Sequence, residues 1–450
     1  MIDVDALVIG GGPAGCAAAA GLAEIGMSVL VVDAGQDRTR QLAGELLHPS
    51  GVEDLKSLGF ADVLESLKPH EVTGFAVIDL PGEDVRECLL PYPEGDRGLS
   101  LEHSELVSPL FRALKSRAGI AVLPGSRLTQ LLRNDAAGAA VVITNSFGQE
   151  TRVGTRLLVG ADGRSSQVRK MLGICETHER ISTMVGVVVD AAELPHKSHG
   201  HLFIGGRAPV LGYATGGGKA RVMVDLPLGS RPALILAQPQ LLAGLPEGLR
   251  EGVLAALRAE LPRVASNDTR LPATTVVNSA VLVGDAAGCC HPLSASGMAS
   301  GIRDARELQR FLGRRDKPIP VALERYARAR RPAQRTRIAL ASALYRAFAD
   351  RGEQMGALRS GLFRYWEHSD KGSATSMLLL SGRESRMWVM AREFARVVGH
   401  GMAELASEVR PFEGRSLTWA ARAGTGLVAS AWPHLQMAAV GAVRDWEARL

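Results

Sequence analysis

Cysteine is scarce in this chain, and so are aromatic side chains. The five cysteines, at 16, 88, 175, 289 and 290, are odd in number and share no regular spacing. They build no disulfide framework and fit a reducing compartment. No Cys-x-x-Cys or His-x-x-x-His pattern accompanies them, which removes the usual zinc arrangements. Aromatic residues make up 4% of the chain and do not interleave with the basic ones, so a nucleic-acid face has little support. Long apolar runs are missing too. Residues 424–442 contain no Asp, Glu, Lys or Arg, but Pro433, His434 and Gln436 among many Ala and Gly leave the segment too polar to span a membrane. The N-terminus places acids at positions 3 and 5 and runs straight into a strand, so no signal peptide is read and a cytoplasmic location is expected.

What is present describes an ordinary globular protein. The 450 residues are 46% hydrophobic and 22% charged, with a net charge of +5, enough for two or three domains. Arginines 325, 328, 330, 331, 335 and 337 crowd one segment. Such a run reads as a solvated helix face, with contact to phosphates or anionic lipid as the alternative. Two glycine-rich stretches bear chemistry. In GDAAGCCHPLSASGM (Gly284 to Met298), Cys289, Cys290 and His291 suggest a metal or thiol site, but adjacent cysteines cannot both bind one metal without strain.

The other stretch opens the chain. The apolar run at residues 4–9 leads into Gly10-x-Gly12-x-x-Gly15 and an alanine-rich helix reaching about Gly26. Gly10 permits the tight turn, Gly12 lets the backbone approach a pyrophosphate, and Gly15 allows the helix to pack on the strand. Pro13 and Ala14 open the helix, whose free N–H groups attract phosphate. A second apolar run ends in Asp33 and Ala34, where a carboxylate meets ribose hydroxyls. Strand, glycines, helix, strand and acid in this order mark a dinucleotide site. They do not tell FAD from NAD.

Two later segments do. LLVGADGRSSQVRKMLG follows an apolar strand at 157–159 and contains Asp162-Gly163, then Ser166 and Arg169. A second apolar strand at 280–283 precedes Gly284-Asp285 and a helix over about 297–308. With these residues in view, the sequence resembles the FAD-dependent monooxygenases of the para-hydroxybenzoate hydroxylase fold. The resemblance implies that Asp285 binds the ribityl chain and that the helix at Gly297 and Met298 points its N-terminus at the flavin pyrimidine. Reduced flavin carries negative charge there, which helix-end N–H groups stabilise. Arg40 joins this implied cofactor set. The two cysteines then become small apolar fillers of a flavin loop.

Segments GELLHPSGVEDLKSLGF (Gly44–Phe60), HPLSASGM and APVLGYATGGGKARVMVDLP (Ala208–Pro227) look like squalene monooxygenases in particular. Those enzymes have Gln where this chain has His48 and Tyr where it has Phe75, so their pair cannot form in the same way. Glu105 stands where relatives have an arginine. His48 is therefore the candidate catalytic residue, a base of ordinary pKa near 6.5 on a loop before a helix starting near Val52; capping that helix is the alternative. No Trp-x-Trp-x-x-Pro marks a flavin halogenase and no second GxGxxG adds an NADPH domain.

The expected fold is α/β. An FAD-binding βαβ domain is assembled from about residues 1–75, 100–175 and 275–320. A β-sheet substrate domain is inserted at 76–99 and 176–274, and a helical region follows from 321 to 450. A helix broken at Pro332 is expected there, as is an apolar stripe of Met387, Met390, Phe394, Val398, Met402 and Leu405. That stripe either packs on the body or lies in a membrane interface beneath Arg386, Arg392 and Arg396. The resemblance implies an enzyme reduced by NAD(P)H as a transient partner. It would use O2 through a flavin C4a-hydroperoxide to epoxidise or hydroxylate a lipophilic isoprenoid, polyketide or aromatic substrate of secondary metabolism. The alternative is a flavin-dependent reductase of isoprenoid double bonds.

Overall fold

The computed structural model describes residues 2–35, 42–80, 85–314 and 316–407, and among them two large sheets back onto sets of helices. The first sheet is built around the N-terminal strand Ile2–Ile9, which pairs in parallel with Val29–Asp33 on one side and Glu150–Gly160 on the other. Ala280–Leu282 and Ile120–Pro124 extend it outward, again in parallel. Strands covered on both faces read as unbroken apolar runs. Ala6 and Val8 pack under the alanine-rich helix Pro13–Glu24, whereas Leu7 and Ile9 meet the antiparallel hairpin Ser126–Asp135 and Gly138–Asn145.

The second sheet runs in the order Arg263–Pro272, Glu176–Asp190, Lys219–Pro227, Val210–Gly216, His199–Phe203, Gly74–Asp79 and Arg86–Pro91. Its strands alternate in the period of two that the pleat dictates. Ala76 and Ile78 lie with the helix Glu247–Ala259, while Phe75 and Val77 lie on the opposite face with the C-terminal helices. Gly216, Gly217 and Gly218 all have positive φ and form the turn between two of these strands.

Among the described residues, the helix Gly297–Gly313 and then four more follow the first sheet's last strand: Ile319–Ala349, Glu353–Glu367, Asp370–Leu380 and Met387–Ser407. Pro332 does not break the helix Ile319–Ala349, contrary to expectation. Proline costs a helix interior about 3 kcal/mol through its missing N–H and a clash with the preceding turn. Buried bonds on either side offset this cost: Arg330 is anchored to Asp304, and Gln334 to the Ala287 carbonyl. The predicted stripe of the last helix faces the protein body, with Met387, Met390 and Val398 buried and Phe394 packed beside them. Arg392 and Arg396 point outward and pair with Glu393; Met402 is exposed. Among the described residues no helix is long and apolar enough to cross a membrane. Arg40, the run 424–442 and everything from 408 onward lie outside the described residues.

Candidate flavin site

Three loops meet at the C-terminal ends of neighbouring parallel strands, where open α/β sheets bind ligands. Gly10 follows Ile2–Ile9, Asp162 follows Glu150–Gly160, and Gly284 follows Ala280–Leu282. Their contact is direct. A Cβ at Gly10, whose φ is +106°, would lie 2.4 Å from the Ala161 oxygen; one at Gly284 would lie 2.8 Å from the Ala14 Cβ. The sequence placed these motifs 120 or more residues apart, and the sheet stacks them side by side.

The glycines differ in what surrounds them. A Cβ at Gly15 would sit 1.9 Å from the Gly10 oxygen, whereas one at Gly12, Gly163 or Gly297 would meet nothing within 4 Å. Gly10 and Gly15 are thus bound by the fold, and the other three border open ground. Helix Pro13–Glu24 starts at Gly12 with no side-chain cap, so its first N–H groups face that ground. Asp33 closes the site on the far side. Its carboxylate accepts from the Gly11 N–H at 2.7 Å and from the Gly35 N–H at 3.0 Å, which fixes Ala34 between them.

The two acids of the later motifs behave differently. The Asp162 carboxylate accepts from the Ser166 hydroxyl (2.5 Å) and the Gln167 (2.6 Å) and Val168 (3.1 Å) N–H groups. It thereby caps the short helix Gln167–Met171. Asp285 is half-buried at the head of its loop, Gly284–Ala287. Nothing in its own turn engages its carboxylate as the capped helix engages Asp162.

Residues that sequence reasoning did not assign hold that loop. The buried Arg169 donates to the Ala286 carbonyl at 2.8 Å and to the Arg164 carbonyl at 2.7 Å, and pairs with Glu176 at 3.0 Å. From the long C-terminal helix, Gln334 donates to the Ala287 carbonyl (2.6 Å) and Arg337 to the Gly288 carbonyl (2.9 Å). Arg330 pairs with Asp304 at 2.6 Å, and Asp304 accepts from the Gly284 N–H at 2.9 Å. The arginine run, read as a solvated face, therefore turns Arg330 and Arg337 inward. Charge alone could not show this, because an arginine run reads the same whether its side chains meet water or buried carbonyls.

The cysteines serve as packing. Cys289 is buried, its backbone bridges to Arg270, and burial pushes its thiol up to about 12. Among the described residues no cluster of His, Cys, Asp and Glu could hold a metal.

His48 is fully buried just before the helix Pro49–Leu55. That helix starts three residues earlier than expected, since proline favours the first helical position, and the His48 side chain does not cap it. Its Nδ1 lies 2.7 Å from the Tyr92 hydroxyl and its Nε2 lies 2.8 Å from the Ser294 carbonyl. A carbonyl only accepts, so Nε2 carries the proton and Tyr92 donates to Nδ1. Burial pulls the imidazole down to about 4. A tyrosine partner is thus present after all, but it follows the edge strand Arg86–Pro91 instead of standing at Phe75, whose ring stacks on His48. Glu105 lies exposed in the first turn of the helix His103–Leu114. The segment before His48 is also tied to the second sheet: the buried Glu45 carboxylate takes two bonds of 2.9 Å from Arg221.

A small apolar chamber lies among the C-terminal helices, lined by Leu344, Leu358, Leu362, Trp366, Leu379 and Phe394. Several of these residues belong to the hydrophobic cluster that also contains Phe75, Met184 and Leu293.

Comparison with known proteins agrees with this geometry. The FAD-binding-domain family profile matches residues 5–44, and that of squalene epoxidase matches residues 155–412. Squalene epoxidase 3 of Arabidopsis thaliana is 27% identical over 431 residues, covering 90% of this chain and 79% of the plant protein. Squalene monooxygenase of Mus musculus is 27% identical, covering 88% of this chain and 71% of its own length. The crystal structure of p-nitrophenol 4-monooxygenase PnpA from Pseudomonas putida is 16% identical and superposes with a TM-score of 0.70 over 85% of this chain and 100% of its own. The last likeness shows a shared fold. With more than half of its length matched by one family, the chain belongs to the squalene epoxidase family of FAD-dependent monooxygenases.

Proposed function

We propose that the protein uses FAD, NAD(P)H and O2 to insert one oxygen atom into a lipophilic substrate, by epoxidation or hydroxylation. The observation that carries this reading is the apolar chamber, which shares one hydrophobic cluster with Leu293 of the flavin loop. Its lining is predominantly aliphatic and aromatic, as in sites for small apolar ligands. Flavin, when bound and reduced, supplies the oxygen activation. The chain must bind it, orient the substrate and exclude water.

Those tasks fall to identifiable residues. Gly12, Pro13 and Ala14 present helix-end N–H groups to the pyrophosphate, with Gly10 and Gly15 fixing the turn. Asp33 serves the ribose. Asp285 accepts ribityl hydroxyls, and the N-terminus of Gly297–Gly313, with Met298 in its first turn, faces the pyrimidine. Asp162 and Gly163 shape the loop between them. His48 acts by position more than as a base: both ring nitrogens are engaged and its low pKa makes it a weak proton acceptor.

The decisive measurement uses the reconstituted enzyme with NADPH and squalene under 18O2, followed by mass spectrometry. A product heavier by one 18O atom is expected. Addition of two hydrogens with the same reactants in the absence of oxygen would establish a double-bond reductase and overturn the proposal.

A further inference from the structure

The turn Pro292–Ser294 joins the loop of Asp285 to the helix at Gly297, with Ala295 in the left-handed region at φ 49°. Two buried histidines grip it. The Nδ1 of His291 accepts from the Leu293 N–H at 3.4 Å, and the Nε2 of His48 donates to the Ser294 carbonyl. Each histidine is backed by the substrate sheet. Tyr92, at the end of its edge strand, donates to His48. Asp225, in the strand Lys219–Pro227, faces the His291 Nε2 at 3.3 Å. With Nδ1 accepting, the His291 proton sits on Nε2 and points at that carboxylate.

Asp225 is itself held in place. The Ser182 hydroxyl, from the neighbouring strand, donates to its Oδ1 at 2.5 Å, and the Asn267 amide, from the strand beyond that one, donates at 2.8 Å. Tyr345 of the long helix lays its ring over His291, centroids 4.3 Å apart. Ser182, His291 and Asp225 do not form a hydrolytic triad. The His291 Nε2 also lies 3.2 Å from the Ser182 hydroxyl, but it carries the proton and the hydroxyl donates to Asp225, so no base is available to activate the fully buried serine.

We infer that the substrate sheet sets the position of the flavin-loop turn through two histidine braces, Tyr92–His48–Ser294 and Asp225–His291–Leu293. Tyr92 and Asp225 are then positioning residues: each acts on the turn through a histidine, and the turn cannot shift without breaking a bond in one of these braces. This rests on the flavin site proposed above. The two braces act on adjacent residues of one short turn, so loosening one leaves the other holding a turn already free to move.

Tyr92→Phe and Asp225→Asn test the inference, singly and together. In the apoprotein, amide hydrogen exchange at residues 293–297 is expected to rise about tenfold or more in each variant, with exchange in the strand Ile2–Ile9 unchanged. In the FAD-loaded protein, NADPH-driven flavin reduction without added substrate should slow several-fold. The double variant should fall short of the product of the two single effects. Unchanged exchange at 293–297 in both variants would overturn the inference. So would exchange raised evenly through the whole protein, since the residues would then be merely structural. Should Asp225→Asn fail to fold, Tyr92→Phe decides alone, because it removes one hydroxyl and keeps the ring. Should the wild type bind no FAD, the flavin reading fails while exchange in the apoprotein still judges the braces.

Discussion

The front glycine loop and the loop of Asp285 lie side by side, but they are held by opposite means. At the front, Gly10 and Gly15 touch each other's backbone, and the strand that supplies Asp33 begins within 20 residues of Gly10. The geometry is local and is written in the spacing of glycines. The Asp285 loop has no such internal order. Its carbonyls at 286, 287 and 288 accept from Arg169, Gln334 and Arg337, side chains between 47 and 117 residues away. A backbone-made site tolerates change everywhere except at its glycines. A loop bolted by distant side chains fails whenever one bolt is removed.

The largest effects should separate these two designs. Gly15→Ala forces a Cβ to within 1.9 Å of the Gly10 oxygen, so both folding and flavin binding should be lost. Gly12→Val places its side chain in open ground; circular dichroism should remain that of wild type while the bound FAD falls to none. A Gly12→Val protein that retains FAD would show that the phosphates lie elsewhere. Next comes Arg330→Met. It strands Asp304, buried beside the Gly284 N–H, and removing one partner of a buried pair costs about 3–5 kcal/mol. Urea unfolding should register that loss, and FAD should bind more weakly because the Asp285 loop is released. A loss below about 1 kcal/mol would show that the pair contributes little.

The same contrast explains what the sequence made legible. The strand–glycine–helix–strand–acid order announced the first sheet, because each feature lies within reach of the next. The Asp162 and Asp285 motifs were picked out by resemblance, and the sheet brings the strands before them side by side. The inward arginines were not, since a basic run looks the same whether its side chains meet water or carbonyls. Pro332 misled because local propensity breaks a helix there while tertiary anchors on Arg330 and Gln334 keep it whole. Tyr92 was hidden differently. The resemblance directed attention to Phe75, but the sheet pairs that strand with the one leading to Tyr92, and only the pairing shows that a hydroxyl can arrive from next door.

His48 offers an intermediate effect, read through pH. Its folded pKa of about 4 lies below the ordinary 6.5, so the unfolded chain binds more protons between those values. Stability is therefore fully present above pH 6.5 and declines as pH falls toward 4. The decline amounts to roughly 3 kcal/mol at most, and His201, lowered by burial to about 3, adds in the same direction. His48→Gln should flatten the urea midpoint between pH 7 and pH 5 by up to one proton's worth. It should also keep FAD, because an amide can still donate to the Ser294 carbonyl. An unchanged slope would show that His48 is protonated without cost in the fold.

The smallest effect is expected where the sequence looked most reactive. Cys289 and Cys290 sit between the carbonyls gripped by the distant side chains and the turn gripped by histidines. Neither set of bonds uses a thiol. Cys289 contributes its backbone N–H and carbonyl to Arg270 and points a buried Sγ toward the Asp268 carbonyl at 3.7 Å, a weak contact. Its thiol, pushed up to about 12 by burial next to Asp285, stays protonated at neutral pH and so is neither nucleophile nor metal ligand. Cys289→Ala/Cys290→Ala should lose only the packing of two sulfur atoms. Flavin affinity and turnover should stay within several-fold of wild type, and a thiol reagent should label neither position in the folded wild type. Stoichiometric zinc or iron in the wild type, lost from this double variant, would instead make the pair a metal site and end the comparison between two flavin loops.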